Sequence, residues 1–246
     1  PLLVRKVAKT SASGAMMALR ATWEALTVAG IEPASLAGRP VAVLIGAGTG
    51  STLRNYIASA IIERTRSSKK IGPYLVPHVM TSSATANVTV ALGVRGESWS
   101  VSSACSTGAH AIGIAALLIR AGRYDQVIAG AADELDWTRA GAFDAMYALS
   151  RGFNDRPQEA SRPFAKGRDG FVISGGAGVL ILEELEAARR RGAPILAELL
   201  GAAANSDGHD MVAPLSLGAI EVMRQALDDA GLRPEDIEYV HAPGPS

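Results

Sequence analysis

The stretch SWSVSSACSTGAHAIG, residues 98–113, decides the fold prediction, because a short β-rich run leads directly into the only cysteine, Cys105. The four residues STGA that follow it are small enough for a sharp turn from strand into helix. A thiol at a helix start lies near the positive end of the helix dipole, which favours the thiolate. The first backbone N–H groups of a helix have no partner within the helix, and here they could hold an oxyanion. The pattern therefore predicts a nucleophile, and a small apolar side chain packed at a strand end is the alternative.

Outward from this stretch, β-rich apolar runs alternate with helical patterns. The predicted strands are 41–48, 98–104, 124–132 and the long run 170–185. The predicted helices cover 11–29, 106–121 and 218–230, and each ends at a glycine, respectively Gly30, Gly122 and Gly231. Alternation of this kind predicts layered α/β structure.

The charged helix end EAARRRGAP, residues 186–194, contains a glycine and a proline and predicts a domain boundary. We place the first domain at 1–187, including the cysteine, and the beginning of a second domain at 188–246. In the second part the sequence predicts a strand at ILAELLGAAA, 195–204, and a short strand at IEYVHA, 237–242.

Composition narrows the function classes. The 246 residues are 48% hydrophobic, and the 24 basic residues balance the 24 acidic ones, so there is no overall basic excess of the kind that favours nucleic-acid binding. No apolar run is long enough to cross a membrane, and the opening segment does not resemble a signal peptide, so we expect a cytoplasmic protein. A single cysteine and four scattered histidines exclude a disulfide framework and indicate no metal site.

The glycine-rich GAGTGS, residues 46–51, invites a dinucleotide-binding interpretation because it follows a predicted strand. Its third glycine is one position early for that motif. No acidic residue ends a second strand about 20 residues later, where a ribose would need one. We therefore reject the dinucleotide site.

Several motifs together resemble one family. They are SSACSTGAHAIG at 102–113, KIGPYLVPHVM at 70–80, GAADELDWTRAGAFDAMYALS at 130–150, SRPFAKGRDGFVISGGAGVLILEELE at 161–186 and NSDGHDMVAP at 205–214. With these motifs in this order, the chain resembles the β-ketoacyl-acyl carrier protein synthases of the thiolase superfamily. The run DELDW followed by AFDAM is most similar to the type I branch. The resemblance covers nearly the whole chain.

The resemblance implies a thiolase-like layered αβαβα fold, with the N-terminal half nearly complete and the C-terminal half truncated. It implies fatty acid elongation by decarboxylative condensation, in which Cys105 accepts an acyl group and malonyl-acyl carrier protein extends it by two carbons. It implies no cofactor and no metal. It also implies a homodimer, paired through the strand before Cys105.

The resemblance also assigns further site residues. Met80, Phe143 and Phe171 match positions around the acyl chain, with core packing as the alternative role. Two basic clusters resemble the surface with which the family binds the acidic acyl carrier protein. The alternative is that these charges are exposed to solvent and have no partner. They comprise Arg5 and Lys6, then Arg66, Lys69 and Lys70.

The last six residues depart from the family pattern Asn-Ala-His-Gly-Thr-Ser, since Pro243 occupies the histidine position. Proline can neither stabilise an enolate nor transfer a proton, so we expect acylation without complete condensation. The departure makes a non-catalytic or acylation-only fragment the alternative to an active fatty acid synthase. A polyketide ketosynthase is a further alternative. A thiolase or a chalcone-synthase-like enzyme fits the motif at 161–186 less well.

Overall fold

The computed structural model describes residues 7–242, whose strands form one three-stranded mixed sheet. Its strands are β1 (Ala42–Gly46), β2 (Gln126–Asp133) and β3 (Gly176–Glu183). The order is β1-β2-β3, with β1 parallel to β2 and β3 antiparallel to it. The strands at 41–48, 124–132 and 170–185 are thus confirmed in shortened form. Arg5, Lys6 and Pro243 lie outside the described residues.

The α-helices whose bounds lie within the described part are α1 (Ser13–Val28), α2 (Thr52–Thr65), α3 (Leu75–Val79), α4 (Ser83–Leu92), α5 (Thr107–Arg120), α6 (Trp137–Ala145), α7 (Leu185–Arg190) and α8 (Ser216–Ala230). Gly30, Gly122 and Gly231 all have φ near +65° at the predicted helix ends. Glycine adopts this left-handed conformation without steric cost, so the three predicted terminations are confirmed.

Helices cover both faces of the sheet because its side chains alternate. On one face Val43, Ile45 and Ile128 are buried in a cluster that includes Leu26 of α1 and Val88 of α4. The other face buries Leu44 and Val127 together with Ala115 of α5. Successive strand residues point to opposite faces, so two apolar clusters form a three-layer α/β core. Within residues 7–242 no helix is both long and apolar enough to cross a membrane.

The predicted strand at 98–104 is wrong, because that segment makes only a parallel bridge between Ser98 and Val43 and is otherwise irregular. Beyond the bridge, side-chain hydroxyls form hydrogen bonds with the backbone at the edge of β1. The Thr85 hydroxyl accepts from the Ile45 N–H at 2.9 Å and donates to the Ile45 carbonyl at 2.6 Å. Ser100 donates its hydroxyl to that same carbonyl at 2.8 Å. Local side-chain bonds of this kind compete with a backbone ladder.

The strands predicted at 195–204 and 237–242 are also wrong, because both segments lack regular structure. Leu196 is 81% exposed, and Tyr239 and Val240 are also exposed. A strand needs a neighbour with which to exchange backbone hydrogen bonds. Neither segment pairs with a strand of the described part.

Candidate active site

Cys105 lies in a single 3₁₀ turn, Ala104–Ser106, immediately before α5, and its side chain is exposed. Ala104 has φ +51°, a left-handed conformation that is uncommon for a residue with a Cβ. The Thr107 hydroxyl stabilises the turn because it donates to the Ala104 carbonyl at 2.7 Å and accepts from the Ser103 N–H at 2.9 Å. The structure therefore places the only thiol on a tight, strained turn at the start of a helix.

Glycine at position 46 lets the end of β1 approach this turn. A Cβ there would lie 2.2 Å from Thr107 Cγ2 and 2.4 Å from the Val101 carbonyl oxygen. Both distances are far below van der Waals contact, so any larger residue would displace the turn. Thr107 itself is buried. The position of Cys105 thus depends on close packing between β1 and the first residue of α5.

Two polar groups at the turn have no partner in the described part of the chain. The Cys105 N–H makes no backbone hydrogen bond there. The Ser103 hydroxyl is buried and also lacks a partner. An unpaired N–H beside an exposed thiol is a donor that could stabilise negative charge on a substrate oxygen.

The glycine loop, residues 46–50, lies between the nucleophile segment and Met80. Ser102 donates its hydroxyl to the Gly48 carbonyl at 3.3 Å. On the other side, a Cβ at Gly50 would lie 1.7 Å from the Val79 carbonyl oxygen, so the loop contacts the residue before Met80. Met80 is half-buried and lines a cavity of about 20 Å³. A cavity of that size holds one water molecule and not an acyl chain.

Phe143 of α6 and Phe171 are brought together by the structure. Their ring centroids are 5.8 Å apart in an edge-to-face arrangement, and both side chains are half-buried. Backbone hydrogen bonds support the pair, because the Phe171 N–H donates to the Ala148 carbonyl at 2.7 Å and the Ser150 N–H donates to the Phe171 carbonyl at 2.9 Å. The two predicted pocket residues thus form one aromatic pair.

A polar network at the end of β2 was not predicted from the sequence. Arg139 of α6 donates to an Asp133 carboxylate oxygen at 2.9 Å, to the Glu134 carbonyl at 2.8 Å and to the Thr49 hydroxyl. Asp133 also accepts from the Gly48 N–H at 3.1 Å. The acidic run DELD followed by an arginine on a helix is the only local signal, and it does not identify Thr49 or Gly48 as partners.

Asp136 fixes the start of α6 within this network. Its carboxylate accepts from the Thr138 N–H at 2.7 Å, from the Arg139 N–H at 3.2 Å and from the Thr52 hydroxyl at 3.0 Å. Burial acts to raise the pKa of Asp136, but these hydrogen bonds and the Thr138 hydroxyl hold it below its ordinary value. The carboxylate therefore remains an ionised N-cap at neutral pH.

Comparison with known proteins then identifies the family. The family model described as "Beta-ketoacyl synthase, N-terminal domain" matches residues 5–188, which is most of the chain. The chain belongs to the β-ketoacyl synthase family. The corresponding C-terminal domain of the family matches residues 196–246.

Curated relatives of this β-ketoacyl synthase chain are named 3-oxoacyl-[acyl-carrier-protein] synthase 1. The Haemophilus influenzae protein is 43% identical over 98% of this chain and 59% of its own length. The Escherichia coli K12 protein is 39% identical over 100% of this chain and 60% of its own length. The resemblance to the type I branch is thereby confirmed. The chain spans about 60% of the length of these relatives.

Solved structures confirm the fold class. A β-ketoacyl synthase from Burkholderia phymatum superposes with a TM-score of 0.88 at 35% identity, over 97% of this chain and 58% of the other. The ketosynthase of a type II polyketide synthase, solved with its acyl-carrier protein, gives 0.80 at 32% identity, over 92% and 57%. The layered α/β ketosynthase fold expected from the sequence is therefore present.

Three of the basic residues expected to bind a partner, Arg66, Lys69 and Lys70, lie at the end of α2 in this β-ketoacyl synthase chain. Arg66 follows the helix with φ +51°, and Lys69 and Lys70 follow in the next loop. All three are exposed, and no acidic side chain of residues 7–242 pairs with them. In the same part of the chain, no group of three or more His, Cys, Asp or Glu side chains is arranged to hold a metal ion.

Proposed function

We propose that this chain acts in fatty acid elongation, with Cys105 as the acyl acceptor. The observation on which the proposal depends is the exposed thiol on a tight turn at the start of α5. A helix N-terminus stabilises a thiolate, and the turn presents the sulfur to an incoming thioester. The relatives named 3-oxoacyl-[acyl-carrier-protein] synthase 1 favour fatty acid synthesis over polyketide synthesis.

The proposed reaction has two steps. The Cys105 thiolate attacks the carbonyl carbon of an acyl thioester on the carrier protein, the carrier's carbon–sulfur bond breaks, and its thiolate leaves and takes up a proton. Malonyl-carrier protein then loses carbon dioxide, and the resulting carbanion attacks the acyl-cysteine. The bond to the Cys105 sulfur breaks, which restores the thiolate and releases a β-ketoacyl product longer by two carbons.

The carbonyl oxygen becomes an oxyanion in both attacks on a thioester. We assign the Cys105 N–H to that oxygen, because this donor has no backbone partner in the described part of the chain and belongs to the attacking residue. An oriented backbone N–H stabilises developing charge without reorganising during the reaction. The first turn of α5 adds its positive dipole end.

The acyl chain would lie against the Phe143–Phe171 pair and Met80. The edge-to-face phenylalanines offer apolar area, as a lipid-binding wall requires. Met80 lies across the glycine loop from the nucleophile segment, and its flexible side chain could move to enlarge the small cavity beside it.

We propose that Arg66, Lys69 and Lys70 bind the acidic acyl carrier protein, together with Arg5 and Lys6. Three of these cations are exposed without ion pairs in the described residues, and they lie close together in a chain with no net charge. A related ketosynthase has been solved in complex with its acyl-carrier protein. Such a surface should increase the association rate and depend on salt.

The assembly and organisation of the chain are further proposals. We propose a cytoplasmic homodimer that pairs through the segment beside β1, where Glu97 and Trp99 exchange backbone hydrogen bonds with Val43. The proposed domain boundary stays at 187/188. The last turn of α7 and Gly192, with φ +67°, lie just after it.

An acylation-only chain is the second candidate function, and Pro243 favours it. The family pattern has a histidine at that position, and a proline supplies neither a side-chain donor nor a backbone N–H. The first half-reaction does not involve the histidine that Pro243 replaces in the family pattern. We therefore expect acyl transfer to Cys105 and little malonyl turnover.

The test is transfer of an acyl group from acyl-carrier protein to the 246-residue chain, followed by intact-protein mass spectrometry. We expect one acyl adduct on Cys105 and none on the variant Cys105→Ala. Ser106→Ala serves as the matched control, because its exposed hydroxyl donates only to the Ser103 carbonyl. An adduct that persists in Cys105→Ala, or a folded wild-type chain that stays unmodified, would contradict the proposal.

A further inference from the structure

Arg139 is nearly buried and yet holds three partners from different parts of the chain. Its side chain is 11% exposed, and its guanidinium contacts the Asp133 carboxylate, the Glu134 carbonyl and the Thr49 hydroxyl. Removing a charge from water is costly unless the group is paired and hydrogen-bonded. The arrangement therefore fixes α6, the end of β2 and the glycine loop relative to one another.

Asp133 completes the connection to the loop. The Gly48 N–H donates to both carboxylate oxygens, at 3.1 Å and 3.3 Å. A Cβ at Gly48 would lie 3.4 Å from the nearer oxygen, which is van der Waals contact, so the carboxylate packs directly against this residue. Arg139 thus reaches the loop twice, through Thr49 directly and through Asp133 to Gly48.

The loop that this pair holds contacts both sides of the proposed acyl site. The Gly48 carbonyl accepts from Ser102, three residues before the nucleophile. Gly50 lies against the Val79 carbonyl, and the Ser51 N–H donates to the His78 carbonyl at 3.2 Å. A shift of the loop would therefore change the spacing between the Cys105 segment and Met80.

We propose that Arg139 and Asp133 form a positioning pair. The pair holds the glycine loop in place, and through the loop it fixes the position of Met80 in the proposed acyl site. The inference rests on the proposed function, because it assigns a role in acyl transfer. Neither residue touches the reacting atoms. Their effect is on how an acyl chain is seated before the thiolate attacks, and small misplacements of this kind slow reactions strongly.

Arginine is required for this role because of its shape. Its planar fork offers five donors in fixed directions, so one side chain can bind a carboxylate, a carbonyl and a hydroxyl together. Lysine would keep the positive charge as a single point and could not hold Asp133 and Thr49 in the same geometry. The variant Arg139→Lys therefore separates positioning from charge.

The experiment measures two rates at Cys105 in the 246-residue chain. The first is acylation by hexadecanoyl-carrier protein, which requires the acyl chain to lie against Met80 and the phenylalanine pair. The second is alkylation by iodoacetamide, which requires only the thiol. For Arg139→Lys we expect acylation to slow about tenfold or more while alkylation changes less than about twofold. The variant Arg20→Lys, on the exposed face of α1 and paired with Glu24, is the matched control.

The two members of the pair should act together. Asp133→Asn is expected to slow acylation less than Arg139→Lys, because the direct contact between Arg139 and Thr49 remains. The double variant is expected to match Arg139→Lys alone, because the two residues act through one contact. Hydrogen exchange should become faster at 46–50 in all three. Acylation at the wild-type rate in Arg139→Lys would overturn the inference, as would a parallel loss of both reactivities with a lower Tm. A wild-type chain that alkylates but never acylates would instead contradict the proposed function, and this role with it.

Discussion

Two apolar segments of similar composition have opposite fates in this chain. VAVLIGA, residues 41–47, is buried at every position. ILAELLGAAA, residues 195–204, leaves Ile195, Leu196 and Leu200 exposed. The first lies between α1, α4 and α5. The second is covered only in part, where Gly201 lies against α8 and Ala202 lies against Gly113 of α5. Apolar sequence therefore produces a core only where surrounding elements supply a surface.

The region that contains the second segment is held to the rest mainly by exposed polar contacts. Arg120 of α5 bonds the Asp229 carboxylate of α8 at 2.9 Å and the Leu200 carbonyl at 2.8 Å. Asp229 also accepts from the Ala202 N–H at 2.8 Å. Exposed ion pairs contribute little to stability. The difference between the regions is thus a difference in how firmly the backbone is held.

The largest expected difference in stability is between two Gly→Ala variants, at glycines that both lie against backbone atoms. A Cβ at Gly130 would lie 2.0 Å from the Gly178 carbonyl oxygen in the neighbouring strand, and one at Gly201 would lie 2.6 Å from the Ala226 carbonyl oxygen of α8. We expect Gly130→Ala to lower the free energy of unfolding by about 3 kcal/mol or more, because β2 and β3 cannot move apart without losing the hydrogen bonds between them. For Gly201→Ala we expect about 1 kcal/mol or less, because α8 can shift.

Urea unfolding followed by circular dichroism measures both values. If Gly130→Ala is too unstable to purify, its soluble yield relative to Gly201→Ala gives the order. Equal losses in the two variants would show that α8 is held as firmly as the sheet, and the comparison would fail.

A smaller contrast comes from truncating one apolar side chain in each region. Ile128 is 1% exposed in β2, whereas Leu196 is 81% exposed. Ile128→Ala removes buried contacts and leaves a cavity, so we expect a loss of about 3 kcal/mol in the free energy of unfolding. Leu196→Ala should change it by less than about 0.5 kcal/mol. A loss of similar size for Leu196→Ala would mean that this leucine is covered in solution.

The smallest expected effect is a pH dependence at the contact between the regions. The Ala202 N–H and the Arg120 guanidinium lower the pKa of Asp229 below its ordinary value. A carboxylate with a lowered folded-state pKa stabilises the fold above its unfolded pKa of about 3.9, and that contribution is lost as pH falls through the folded value. Above pH 5, Asp229→Asn should therefore be slightly less stable than wild type.

The measurement is the difference in unfolding free energy between wild type and Asp229→Asn at a series of pH values. The difference should shrink toward zero below about pH 4. Asp228→Asn, one residue earlier on the same helix, is the control. A difference that stays constant with pH would contradict the role given to the Asp229 charge.

Local signals in the sequence were sufficient for several features. The glycines after α1, α5 and α8 predicted where those helices end, because a left-handed residue at a helix end is a property of a few neighbouring residues. The small residues after Cys105 likewise predicted its turn at a helix start. Together with the quoted motifs, these local patterns determined the layered α/β class and the family.

Only the tertiary structure decided which apolar runs are buried and which edges are paired. Ser100 and Thr85 bond the edge of β1 with their hydroxyls, so the run before Cys105 is not a regular strand although its composition is typical of one. Arg139 binds Thr49, 90 positions away, and no local pattern predicts that partner. Such contacts depend on how distant elements pack, and a side chain's local sequence carries little information about which surfaces will be brought to it.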